Sequence, residues 1–269
     1  MLKERVLTAI VLMAVLLGVM LGLPPVATVY LITLLVLIGA WEWAGFIRPN
    51  SMAVKVVFVL VVGASLYAGW RYLLPSAWMW HAMLAASVWW LLALLWVTLA
   101  PGRVNAALAA IAGLMALVPC WLALVYIATT MEPAAGWVLF TLGLVWAADT
   151  GAYFAGRFFG KVPLAPRVSP KKTWEGVLGG LLVSAVVAAV GCFWLAGQVD
   201  WYFIFLCVLV AAVSVVGDLT ESMLKRASNL KDSGSLFPGH GGMLDRIDSV
   251  TAAAPVLLFG LYSLDWIKG

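Results

Sequence analysis

Between Asp218 and Asp248 the chain concentrates acids, bases, glycines and one of its two histidines, although only 10% of its residues are charged. Asp218, Glu221, Ser222 and Lys225 fall at i, i+3, i+4 and i+7, one face of a helix. Asp218 closes the apolar run Ala211–Gly217, which sets its carboxylate at or inside a membrane boundary, where an unpaired charge is costly. Asp245 and Asp248 form a second i, i+3 acidic pair, flanking Arg246, at the entrance to the last apolar segment. Two carboxylate-bearing helix ends joined by a folded-back loop could hold a divalent ion, because hard cations take oxygen ligands and bridge to substrate phosphates. The structural alternative is a set of boundary salt bridges to Lys225, Arg226 and Arg246.

Between the acids runs a loop with Lys231, Gly239, His240, Gly241 and Gly242. Its glycines permit backbone conformations that aim several N–H groups at an anion, and Lys231 and His240 could add charge or hydrogen bonds to a phosphate. A plain loop with turn residues would read the same way. A second cluster, Asp149-Thr-Gly-Ala-Tyr153-Phe-Ala-Gly156-Arg157, ends the sixth apolar segment, with Asp149 and Tyr153 at i, i+4 among small residues that allow close helix packing. A third, Ser169-Pro-Lys171-Lys172-Thr173, enters the seventh, where two lysines and a helix start suit an anionic phosphate or a lipid headgroup. Glu42, between Trp41 and Trp43, is expected to be a solvated boundary acid, and His81 a packing or interface residue.

The elements that must position these clusters are membrane helices. Hydrophobic residues make up 65% of the 269, and mean hydropathy is +1.07, which excludes an ordinary soluble domain. Nine apolar segments can be marked: Val6–Leu23, Ala27–Ile47, Val54–Trp70, Ala77–Ala100, Ala106–Thr129, Gly136–Phe154, Gly176–Gly197, Trp201–Lys225 and Ser249–Ile267. The expected fold is an all-α polytopic membrane protein of about nine transmembrane helices with a cytoplasmic N-terminus. That orientation puts all but Arg71 and Lys268 of the 16 Lys and Arg on the inside. The net charge of +4 therefore points to topology and not to nucleic acid. The first segment begins like a signal peptide but lacks a small-residue cleavage site, so it is expected to remain as a helix. Cys120, Cys192 and Cys207 lie inside apolar runs without metal-ligand spacing and are expected to pack. One membrane unit, 1–269, is expected, with 1–135 as helical scaffold and 136–269 carrying the chemistry.

Four stretches carry a resemblance: Ser222-Met-Leu-Lys-Arg226, Lys231-Asp-Ser-Gly234, Phe237-Pro-Gly-His-Gly-Gly242 and Asp245-Arg-Ile-Asp248. Together they resemble the signature of the phosphatidate cytidylyltransferases, or CDP-diacylglycerol synthases, and the clusters at Asp149 and Ser169 look like that family's motifs as well. The resemblance covers about 140–250. It implies that CTP and phosphatidate react to give CDP-diacylglycerol and pyrophosphate, with Mg²⁺, a monovalent cation such as K⁺, and a capacity to form homodimers. Membrane lipids would surround the protein, and the active site would face the cytoplasm from a bacterial inner membrane. On this basis Asp218 and Asp245 are the leading metal ligands, with Asp248 and Asp149 beside them. Lys225, Arg226, Lys231, Arg246 and His240 would hold phosphates, with Ser222, Gly239, Gly241 and Gly242 nearby. Asp149, Tyr153, Ser169, Lys171, Lys172 and Thr173 would bind the nucleotide or lipid phosphate. Two other readings stay open: a CTP-dependent polyprenol kinase or related lipid transferase, and an ion-coupled transporter using Asp149 and Asp218 as carriers.

Overall fold

A computed structural model describes residues 2–234, 236 and 241–266. Among the described residues the apolar runs form nine α-helices: α1 (Leu2–Gly22), α2 (Pro25–Ile47), α3 (Met52–Ala68), α4 (Trp78–Leu99), α5 (Ala106–Thr130), α6 (Ala134–Phe159), α7 (Trp174–Ala196), α8 (Trp201–Ala227) and α9 (Leu244–Ser263). A π-helical turn, Gly69–Leu73, continues α3. Seven of the helices, α2 to α8, are long and apolar enough to cross a membrane. Large apolar side chains such as Leu60, Leu91, Leu182, Val186 and Phe205 stand exposed on them, as lipid-facing residues should. The chain is an all-α polytopic membrane protein.

Local chemistry sets the helix ends. Pro25 starts α2 at the position where a missing N–H costs nothing. Ser51, Asn105, Thr173 and Asp200 cap α3, α5, α7 and α8 by accepting backbone N–H bonds through their side chains. The sixth and ninth segments shift from their expected bounds: α6 runs on to Phe159, carrying Gly156 and Arg157 within the helix, and α9 begins at Leu244, before both acids. The Ser169 cluster is not a simple helix entry. It forms strand β2 (Ser169–Thr173), paired antiparallel with β1 (Pro163–Ala165). No alternating apolar pattern marks these strands, because both are short and half-buried.

Helix α9 sits at the centre, packed against α2, α4, α5, α6 and α8, and is buried almost continuously from Ser249 to Leu258. In its first turns Asp245 and Asp248 are half-buried and Arg246 is exposed. All three cysteines are buried and free. Helices α6 and α7 approach closely along Gly151, Gly156, Gly176, Gly179 and Gly180. A Cβ at Gly180 would stand 2.7 Å from the Ala148 carbonyl oxygen. Gly180→Val should therefore force α6 and α7 apart and cost about 1–3 kcal/mol. Thermal unfolding in detergent, compared with Gly143→Val at a position with open space, checks this; equal melting temperatures would contradict the close-packed seam.

Candidate active site

A cavity of about 390 Å³ opens between α6, α7, α8 and β2. Helical spacing brings Asp149, Tyr153 and Arg157 onto its wall from α6, and Arg157 donates to the Tyr153 hydroxyl at 2.8 Å. Strand β2 adds Lys171, Lys172 and Thr173; the Thr173 hydroxyl also accepts the Gly176 N–H and so starts α7. Asp218 enters from α8, paired with Lys172 and accepting a 3.2 Å hydrogen bond from the Ser222 hydroxyl. Val177, Leu181, Ala211 and Val215 add apolar side chains to the lining. The cavity is thus basic and acidic near β2 and hydrocarbon-lined between the helices.

A second polar node lies where α8 meets α9. The Lys225 ammonium donates to Glu221 at 3.1 Å and to Asp245 at 2.7 Å. Asp245 also accepts the Gly242 N–H at 2.8 Å, the Ser233 N–H at 3.1 Å and the Ser233 hydroxyl at 2.9 Å. Beside it, Glu42 of α2 accepts the Met243 and Leu244 N–H groups at 3.0 and 2.7 Å and reaches the Ser233 hydroxyl at 3.1 Å. Glu42 is 8% exposed, so the expectation of a solvated boundary acid is wrong. The apolar tryptophans on either side were a signal: an acid within an apolar helix is by default functional or paired. Ser233, which joins the two carboxylates, lies in the 231–234 stretch that carries the resemblance, which assigns it no role of its own.

These bonds change the reading of the glycine loop. The N–H groups of Gly242, Met243 and Leu244, placed where they could receive a substrate anion, are donated to two carboxylates of the chain itself. Gly241 adopts φ +81°, a left-handed conformation suited to glycine, and lies against the Asp245 carboxylate. A Cβ at Gly242 would collide with Glu42 and Ser233. Gly239 and His240 lie outside the described residues.

Asp248 has Asp218 and Glu221 as acidic neighbours and so belongs to both nodes. Asp149 faces Asp218, with Lys172, Ser249 and Arg246 as its other polar neighbours. Arg226 and Lys231 stand exposed at the end of α8 and just beyond it, and Ser169 opens β2 away from the cavity. The oxygen-only donors Asp149, Asp218 and Asp248 have the chemistry a hard cation takes. Among the described residues, no three acids, histidines or cysteines are gathered closely enough to enclose an ion. That arrangement fits Mg²⁺, which is commonly held by one or two carboxylates with water and substrate phosphates completing its shell. It does not fit an all-protein cage. Asp245, whose oxygens are occupied by Lys225, Ser233 and Gly242, is placed less well for such a role than Asp248.

Residues 3–264 match the model of the cytidylyltransferase family. The chain is 42% identical over 274 residues to the phosphatidate cytidylyltransferase of Pseudomonas aeruginosa, with 99% of each protein covered. It is 40% identical over 278 residues to that of Haemophilus influenzae, covering 95% of this chain and 96% of the relative. A Brucella suis phosphatidate cytidylyltransferase is 48% identical over 132 residues, 46% of each chain.

The geometry makes Lys225 a structural cation before anything else, since the 1%-exposed Glu221 depends on it. Lys225→Met should destabilise the substrate-free protein by about 3 kcal/mol or more, because it strands buried carboxylate charge. Lys225→Arg should recover part of that loss. Unfolding temperatures measured without substrate check it, and an unchanged value for Lys225→Met would remove the node from the list of stabilising interactions.

Proposed function

The chain belongs to the cytidylyltransferase family, and from that membership we propose that it transfers the cytidylyl group of CTP to phosphatidate, giving CDP-diacylglycerol and pyrophosphate. The observation that carries this reading is the cavity in which three separate stretches of sequence meet, with Lys171, Lys172, Arg157, Asp149 and Asp218 on one wall system. Its basic mouth suits phosphates and its apolar lining suits the acyl chains of a lipid.

In the reaction a phosphate oxygen of phosphatidate forms a bond to the α-phosphorus of CTP. The bond from that phosphorus to the bridging oxygen breaks, and pyrophosphate leaves with the electron pair. A phosphomonoester is largely ionised at neutral pH, its second pKa lying at about 6, so no strong base is required of the protein. The protein's task is to hold two polyanions together in line. Lys171, Lys172 and Arg157 neutralise phosphate charge at the cavity mouth, and Arg226, Lys231 and Arg246 add positive charge at the ends of α8 and α9. Lys225 has two partners already and contributes its remaining donor. Binding of substrate phosphate by Lys172 would release Asp218 from its ion pair, turning that carboxylate toward a metal. Asp218 and Asp248, with Asp149 adjacent, would hold Mg²⁺, which when bound supplies charge neutralisation across the reacting phosphates.

The topology we infer has nine crossings with the N-terminus in the cytoplasm, α1 and α9 joining the seven long apolar helices. The charge asymmetry supports it, as it leaves β1, β2 and the segment between α8 and α9 on the side where CTP is available. A bacterial inner membrane fits the bacterial relatives.

Purified protein given phosphatidate, Mg²⁺ and CTP labelled at the α-phosphate should place label in the organic phase and release an equal amount of pyrophosphate, with EDTA abolishing both. Label found only when CTP carries it at the γ-phosphate would indicate a lipid kinase instead. Asp218→Asn should lower turnover by about 10²-fold or more while the protein stays folded. Wild-type turnover in that variant would take Asp218 out of the mechanism.

A further inference from the structure

We propose that Glu42, on α2, is a positioning residue for the cytidylyl transfer: through Ser233 and the start of α9 it fixes Asp245 and Lys225. The inference rests on the functional reading above. Among the described residues its carboxylate accepts from the Ser233 hydroxyl and the Met243 and Leu244 N–H groups, all from the stretch that leads into and opens α9. Helix N-termini are usually capped by a residue next to them in the sequence. Here the cap comes from a helix 201 positions earlier, so the place where α9 starts is set by α2.

Ser233 makes the coupling specific. Its hydroxyl has one proton and lies within hydrogen-bond distance of two carboxylates, 3.1 Å from Glu42 and 2.9 Å from Asp245. Glu42, Ser233, Asp245, Lys225 and Glu221 thus form one connected series across α2, α9 and α8. The fit leaves no room for error, because a side chain at Gly234 or Gly242 would overlap the Glu42 carboxylate. Glu42 itself is held by its neighbour: Trp43 donates to the Ala109 carbonyl at 2.8 Å and pins α2 to α5. Glu42 touches no wall of the substrate cavity, so any effect on turnover must pass through the groups it places.

The test uses the full-length protein in detergent and reads kcat, KM, melting temperature and amide hydrogen exchange over 233–245. Glu42→Gln should lower kcat about 10- to 100-fold while KM for CTP stays within about threefold, as expected when the α8 face that carries Lys225 and Asp218 is displaced by an ångström or less. Exchange at the Met243 and Leu244 amides should rise. Glu42→Asp, which keeps the charge on a shorter stem, should restore part of the rate. Thr33→Val, on the same helix, removes the acceptor for the Trp121 indole N–H and should cost stability without changing kcat.

A folded Glu42→Gln enzyme with wild-type kcat overturns the proposal, whatever its melting temperature. If that variant does not fold, Ser233→Ala, which leaves the α9 cap in place, carries the same expected loss of kcat, and wild-type turnover there overturns it equally. Exchange over 233–245 needs no substrate: if it is unchanged in Glu42→Gln, the inference fails even where the enzyme reading stands. A wild-type protein that makes no CDP-diacylglycerol overturns the enzyme reading instead, and exchange still decides whether Glu42 holds the segment.

Discussion

Helix α9 begins with backbone N–H groups that have no partner in their own helix, and two carboxylates are placed to satisfy them. Buried donors of this kind cost free energy unless paired, and in a membrane protein little water is at hand to pair them. Two carboxylates meet the need: Asp245 folds back onto the Gly242 N–H, and Glu42 reaches across from α2 to those of Met243 and Leu244. The positive end of the α9 dipole favours the same two charges. Once they are buried, they impose further demands. Asp245 requires Lys225, Lys225 brings in Glu221, and the glycines at 234, 241 and 242 must lack side chains so that the carboxylates fit.

The candidate cavity sits beside this node and shares helix α8 with it. Asp218 and Lys225 lie seven residues apart on one face of α8, so fixing one end of that face fixes the other. Asp248 stands one turn beyond Asp245 on α9, and Gly217 allows α8 to approach so near that a Cβ there would touch the Asp248 carbonyl. Close backbone packing, not long side chains, sets the distance between the acids of α8 and those of α9. The Lys172–Asp218 pair then closes the cavity from β2, joining the hairpin to the helical core through charge.

The sequence made the helices legible because a membrane span needs only length and hydrophobicity, and seven of the nine runs meet that standard in the structure. It made the cavity legible in part: Asp149, Tyr153, Lys171, Lys172, Thr173 and Asp218 line one space, and intramembrane acids stand out in a chain this apolar. The hairpin was hidden because strands of three and five residues are too short to leave a periodic trace. Glu42 was misread despite the tryptophans that flank it. Position at a helix end suggests solvent, and only the fold reveals that another helix starts there.

The glycine loop holds the more general lesson. A run of backbone N–H groups predicts an anion but cannot say whose anion it is, since a substrate phosphate and a remote carboxylate make the same demand. The deciding fact is the presence of an acid in a part of the chain far away in sequence. That dependence also blurs a division between a scaffold in 1–135 and chemistry in 136–269. Trp43 anchors α2 on α5, Glu42 anchors α9 on α2, and the Ser228 hydroxyl bonds the Phe46 carbonyl at 3.2 Å. The N-terminal helices thus supply the fixed frame against which the acids of α8 and α9 keep their spacing, and a site that must bring two polyanions into line requires such a frame.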